Sequence, residues 1–269
     1  MSDEQKVRLG GMALANGVLV HGPTSWACAI RTADGEIKVA AARKRLLAPG
    51  VTQPFLRGPL RLAESFAMLP ELRRRLPEAR LPFERPSVLA LTAASALSVQ
   101  VVRRSHRLGD AARELLSGAL SLAPALLSLR GGELAAYHGA EHVSIGSYEH
   151  GEKREKEHER CGSHLVGPLL AASAAANVLA ARTPAHLRGT ARVAGSLAAV
   201  GTAVEVFGWM TRHPDNPLAR ALAKPGHTLQ HRLATAEPSP EQLEVAEAAL
   251  AACLNLENTG RQDGDQAED

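Results

Sequence analysis

The chain has 269 residues, enough for one large domain or two small ones, and only 3% of them are aromatic, so an aromatic-rich sheet core is excluded and Ala/Leu/Val helix packing is expected. Its net charge of +3 rests largely on scattered Arg, with no aromatic interleaving and no nucleic-acid motif, which argues against a nucleic-acid partner. Three widely spaced cysteines, Cys28, Cys161 and Cys253, form no disulfide framework and fit a reducing compartment.

Met1 to Arg8 is charged and lacks an apolar run, so no secretory signal is expected. Residues 10–40 read as a small β element. Gly10-Gly11 and Gly22-Pro23 are turn signals, and Ser25 to Arg31 and Glu36 to Ala41 are strand-like runs. The Asp34-Gly35 pair between those runs favours a hairpin turn. Residues 59–76 have helical spacing through Leu60, Ala63, Ala67 and Leu72, and Pro82 and Pro86 then break the pattern.

Four apolar stretches follow: Ser87 to Val102, Leu115 to Leu129 (interrupted by Pro124), Leu165 to Ala181, and Val193 to Thr211 with the single charge Glu205. A bilayer helix needs about 20 apolar residues, and these stretches sit at or just below that length. Their Ala, Ser and Gly content suits close helix packing. Arginines at 103, 104, 107 and 113, and at 182, 188 and 192, flank the stretches. The positive-inside rule therefore speaks against a simple four-span topology with a cytoplasmic N-terminus, and re-entrant or interfacial helices would relieve the conflict. Near the end, Ser239-Pro240-Glu241-Gln242 reads as a helix start. Leu243, Ala246, Leu250 and Cys253 line one face of that helix, and a polar, disordered tail is expected from residue 257.

The fold class expected from these elements is mainly α. It is a multi-pass or membrane-associated helical bundle with a small N-terminal β-hairpin element and a soluble C-terminal helix. The segments are 1–58 (β-containing), 59–212 (helical core), 213–256 (C-terminal helical) and 257–269 (tail).

The chemistry concentrates at Tyr137-His138-Gly139-Ala140-Glu141-His142 and Tyr148-Glu149-His150. On a helix His138 and His142 stand at i and i+4, on one face. Two neutral imidazoles at that spacing can hold Zn²⁺ or another divalent metal, and Glu141 can act as general base. A catalytic zinc wants three protein ligands and an open position. The best third ligands are Glu149, His158 and Cys161, with Glu205 a further option. The segment from Glu152 to Glu159 alternates acids and bases and reads as a solvated surface. Cys161 beside His158 and Arg160 has a second possible role as a nucleophile. His164 reads as a helix-start residue, and His227 and His231 lack an accompanying carboxylate. His21, His106, His186 and His213 read as surface or loop residues.

Several motifs in order resemble the YqhQ-like family of bacterial proteins, a domain of unknown function. Gly10-Gly11-Met12-Ala13-Leu14-Ala15-Asn16-Gly17-Val18 is similar to its G-G-Q-A-V-I-E-G-V opening. Gly22-Pro23 with Asp34-Gly35-Glu36-Ile37, and Arg57-Gly58 with Glu64-Ser65, match its next segments. Tyr137 to His142, Tyr148 to Gly151, and His158 with Arg160-Cys161-Gly162 match its centre. Glu205, Asn216-Pro217-Leu218, Pro225-Gly226, Leu229-Gln230, and Glu237-Pro238 leading to Glu244-Val245-Ala246 match its C-terminal half. The resemblance implies a multi-pass protein of the bacterial inner membrane with the lipid bilayer as partner and the cluster on the cytoplasmic side. It also implies a metal-dependent enzyme, and names no substrate. His138, Glu141, His142, Glu149, His150, His158, Cys161 and Glu205 fall on family positions, whereas His164, His227 and His231 do not. The family's Gln and Glu are replaced by Met12 and Asn16, which bears on activity if those positions belong to the site.

The function expected is a metal-dependent membrane hydrolase. The alternatives are a non-catalytic membrane protein with a structural metal or hydrogen-bonded cluster, and a transporter-like protein with Glu205 in its pathway.

Overall fold

The computed structural model describes residues 6–46, 50–105, 107–128, 132–184 and 186–265, so His106 lies outside the described residues. Strands β1 (Gly10–Leu14), β2 (Gly17–His21), β3 (Ser25–Arg31) and β4 (Ile37–Arg43) form one antiparallel meander in chain order. The N-terminal β element is thus a four-stranded sheet rather than a single hairpin. The β3–β4 turn falls at Thr32 to Glu36 as the Asp-Gly signal predicts, and Gly22-Pro23 links β2 to β3. Gly10-Gly11 is a correction: it opens β1, pairing with His21 and Val20, and Ala15-Asn16 makes the turn.

Strand alternation sends side chains to two cores. Ala13, Val18, Val20, Ala27 and Ala29 face α5 (Gly132–His150) and α9 (Pro240–Asp265). Leu14, Leu19, Trp26, Cys28 and Ile30 face the opposite way, onto Met68, Leu72 and Leu76. Because helices cover both faces, β3 is buried along six of its seven residues.

The helix expected over 59–76 is two helices, α1 (Arg57–Ala67) and α2 (Leu69–Arg75). Pro70 has no N–H to give the preceding turn, and it sits in the first turn of α2, where that missing donor costs nothing. Pro86 likewise sits in the first turn of α3 (Pro86–Arg104), where its missing donor costs nothing. Together with α3, helices α4 (Asp110–Ser128), α6 (Val166–Ala181) and α7 (Arg188–Arg212) carry the four apolar stretches. Helices α3 and α4 pack on each other, as do α6 and α7, and α4 packs on α6. Among the described residues three helices are long and apolar enough to cross a membrane: Pro86–Arg104, Gly162–Ala181 and Arg188–Arg212.

Helix α8 (Pro217–Leu229) is capped by Asn216, whose side chain accepts from the Leu218 N–H, and it ends in a π-helical turn over Gln230–Ala234. The start of α9 is the expected reciprocal box: Gln242 Oε1 accepts from the Ser239 N–H at 2.9 Å, and Ser239 Oγ from the Gln242 N–H at 3.4 Å. The disorder expected from residue 257 is corrected, because α9 continues to Asp265. Glu257 is buried and accepts from the backbone N–H groups of Thr24 and Ser25 and from both their hydroxyls, which ties this turn of the helix to the sheet. Residues 266–269 lie outside the described residues.

Candidate metal centre

Helix α5 is buried along most of its length and presents His138, Glu141 and His142 toward the start of β1 and the 156–163 loop. His138 Nδ1 lies 2.8 Å from the Ala234 carbonyl, and His142 Nδ1 lies 2.6 Å from the Lys156 carbonyl. A carbonyl only accepts, so both Nδ1 atoms carry a proton, and in the neutral form of each imidazole the lone pair is on Nε2. Burial lowers the pKa of His142, which keeps that imidazole neutral. The close approach on the far side of α5 requires Gly139: a Cβ there would lie 2.1 Å from the Ala236 carbonyl oxygen.

The two freed nitrogens converge with a thiol. Cys161 Sγ is 3.6 Å from His138 Nε2, and ligand atoms of His138, His142 and Cys161 all lie within 4.8 Å of one another. Zinc bonds of about 2.0–2.1 Å to nitrogen and about 2.3 Å to sulfur, at tetrahedral angles, place N and S roughly 3.6 Å apart. His142 Nε2 is buried with no hydrogen-bond partner among the described residues. An orphaned acceptor beside a thiol and a second imidazole is the donor set a borderline-soft divalent ion takes, so these residues fit a metal.

Glu141 borders the same cavity, of about 410 Å³, and is buried. Its side chain fills the space beside Gly11, where a Cβ would come within 2.4 Å of Oε1. Burial pushes its carboxyl pKa up, while His138 and His158 act in the opposite direction. The Gly-Gly pair read as a turn is therefore a strand that admits the carboxylate.

The remaining expected ligands are placed otherwise. His158 accepts from the Arg160 N–H at Nδ1 (3.2 Å), so its Nε2–H donates to Glu149 Oε2, also at 3.2 Å. Arg160 binds the other Glu149 oxygen. Burial raises the Glu149 pKa, but the His158 hydrogen bond and the Arg160 charge together outweigh it and hold the carboxyl low. Glu149 and His158 thus satisfy each other, with the His158 ring centroid 5.5 Å from that of His142. His158 lines the cavity beside the three converging ligands, held there by Glu149. His150 is exposed at the end of α5, its Nδ1 donating to the Gly146 carbonyl. Glu205 is remote in role: Arg57 grips both its oxygens, at 2.9 and 2.5 Å, and so fastens α1 to α7.

Sequence reading missed two contributors. Gln230 is fully buried in the π-helical turn. Its amide oxygen accepts from the His158 N–H, and its amide nitrogen reaches the His158 carbonyl, Ser163 Oγ and His164 Nε2. The same turn supplies the Ala234 carbonyl to His138, so it orients one ligand and the loop that carries another. The Leu229-Gln230 motif was the available signal. His21, expected at the surface, instead packs against Gly10 and accepts from Lys44 Nζ at Nδ1 (2.9 Å).

The two departures from the family pattern lie apart from the ligands. Met12 borders the cavity, but its side chain packs with the Trp26 core on the other face of the sheet. Asn16 holds the β1–β2 turn to Arg31, Glu78 and Arg80.

Residues 133–256 match the family described as "Protein of unknown function (DUF1385)". The chain is 33% identical over 134 residues to the uncharacterized protein YqhQ of Bacillus subtilis (strain 168). That alignment covers 47% of this chain and 42% of the relative, so the chain spans less than half of the relative's length. No solved structure matches the chain. The resemblance to a YqhQ-like, uncharacterised family holds.

Proposed function

From the premise that the chain is YqhQ-like and that His138, His142 and Cys161 converge, we propose that it is a membrane-associated, metal-dependent hydrolase. The orphaned, buried Nε2 of His142 is the observation that carries this reading. His138 Nε2, His142 Nε2 and Cys161 Sγ hold a divalent ion, zinc by donor type. Three protein ligands leave one position open to a reacting group, which is the pattern of a catalytic rather than a structural zinc. When bound, such an ion supplies Lewis acidity toward a carbonyl or phosphoryl oxygen.

The chain's own residues do the rest. Glu141, in a buried site with a raised pKa, accepts the proton of the attacking water at its carboxylate and returns it to the leaving group. The carbonyls of Ala234 and Lys156 hold the two imidazoles in the required tautomer. Glu149, through His158, keeps the side wall of the cavity in place.

Membrane association is supported by Leu97, Val101, Leu179 and Leu197, each more than 60% exposed on the apolar helices. Side chains of this kind, in patches this extended, are expected to face lipid. The unpaired cysteines fit the cytoplasmic side for the cluster.

A second reading rests on the 3.6 Å contact between Cys161 Sγ and His138 Nε2, which also suits a thiol–imidazole nucleophile. Elemental analysis of the detergent-purified chain separates the two. About one zinc per chain, lost in His138→Ala and His142→Ala and retained in Glu141→Gln, supports the metal centre. Turnover on an ester or amide library should then vanish in Glu141→Gln. A metal-free wild type whose Cys161 reacts quickly with iodoacetamide would favour the thiol.

A further inference from the structure

Leu9, Gly10 and His21 line the candidate metal cavity and, on their other side, a second cavity of about 530 Å³. Four cations line this second cavity, Arg8, Lys44, Arg57 and Arg61, against the single carboxylate Glu64. Arg57 is taken up by Glu205. Glu257, the other carboxylate whose charge reaches Lys44, is committed to Thr24 and Ser25. The cavity therefore keeps an excess of positive charge.

Lys44 is the built part of the site. It is half-buried, and it donates to the Gly22 carbonyl at 2.5 Å and to His21 Nδ1 at 2.9 Å. An ammonium has three protons, so one remains for a ligand. His21 is a neutral acceptor here, because burial, with the Lys44 charge, lowers its pKa to about 4. Burial also lowers the pKa of Lys44 itself, so an anion arriving in the cavity relieves an unfavourable charge. Arg8 and Arg61 are exposed at the rim and can fork onto oxygens. Leu46, Val51 and Leu60 supply apolar wall beside them.

We propose that this cavity is a subsite for a phosphate group, gripped by Lys44, Arg8 and Arg61, on a substrate whose reacting bond passes His21 to the His138–His142–Cys161 centre. The link to a reacting bond rests on the hydrolase reading, whereas the phosphate site stands without it. A phosphate offers several charged oxygens to three separate cations, which a carboxylate does not. The same group occurs in lipid headgroups and in water-soluble phosphoesters.

The test is isothermal titration of the full chain in neutral detergent with inorganic phosphate and with dihexanoyl phosphatidic acid, acetate being the control anion. Binding should weaken about tenfold in Lys44→Met and in Arg61→Gln, the loss of one charge-assisted contact. It should be unchanged in Lys153→Gln, outside the cavity, and should persist in His138→Ala/His142→Ala. That last variant separates failure of the metal centre from failure of the phosphate site. Arg61 is exposed, so its variant keeps the test valid if Lys44→Met misfolds. Phosphatidic acid binding at least about tenfold tighter than phosphate points to a lipid headgroup, and equal binding to a soluble phosphoester. Failure of both probes to bind, acetate binding as tightly as phosphate, or wild-type affinity in Arg61→Gln would overturn the proposal.

Discussion

His142 and His21 show how burial sets protonation at single residues. Both imidazoles have lowered pKa values, burial being the first cause in each. For His21, at about 4, the consequence can be worked through. An unfolded histidine titrates near 6.5, so between about pH 6.5 and 4 the unfolded chain holds a proton that the native chain refuses. Stability therefore falls as pH drops through that window, by roughly 3 kcal/mol at most for the full shift. His21→Gln should show a shallower loss of unfolding free energy than wild type between about pH 7 and about pH 4.5. Parallel pH profiles in denaturant melts would contradict this account of His21. Glu141 runs the other way, its carboxyl pKa raised by burial, as suits a proton acceptor working in a cavity.

Among the elements, α9 shows how one side chain can fasten a helix across the chain. Glu257 gives its carboxylate to two N–H groups and two hydroxyls at the β2–β3 link, at 2.7–2.9 Å. Removing it strands buried donors, so Glu257→Ala should destabilise the fold by about 2–3 kcal/mol, read from chemical denaturation. Glu257→Gln should recover part of this, because an amide oxygen still accepts. An unchanged denaturation midpoint in Glu257→Ala would mean that α9 is held by its apolar face alone. The π-helical turn at Gln230–Ala234 does comparable work for the candidate centre, joining α5 to the Cys161 loop through one amide and one carbonyl. Such turns recur at functional sites because the widened ring offers backbone groups a regular helix would keep.

For the whole molecule, the sheet constrains how the apolar helices can cross a bilayer. The sheet packs on α5 and on α9, so all three stand on one side of any membrane. The chain between the sheet and α5 must then cross an even number of times, and so must the chain between α5 and α9. Crossing by α6 and α7 together satisfies the second condition, and those two helices are in contact. The first condition requires α3 to return through α4, which packs on it but is not among the three helices of the described residues apolar enough to cross unaided. On the proposed membrane reading, Leu97→Cys and Leu197→Cys, each in a Cys161→Ser background, should resist a membrane-impermeant maleimide in intact and opened vesicles and react only after denaturation in SDS. Lys153→Cys should react once the cytoplasmic side is open. Ready labelling at residue 97 or 197 in opened vesicles would place those helices in water.

The sequence by itself determined the local features, those carried by neighbouring residues: the β3–β4 hairpin with its Asp34-Gly35 turn, the Ser239–Gln242 box, the apolar stretches, and the i, i+4 spacing of His138 and His142. Each is written in a few adjacent positions, so backbone geometry is enough to reveal it. Only the tertiary structure decided which of Glu149, His158, Cys161 and Glu205 stands with the two histidines. It brings Cys161 to them, pairs Glu149 with His158, and gives Glu205 to Arg57. Carboxylates, imidazoles and thiols at distant positions look alike along a chain. What separates them is the partner that folding places beside each one, and beside the buried Nε2 of His142 folding places the Cys161 thiol and a second imidazole without a hydrogen bond of ordinary geometry among the described residues.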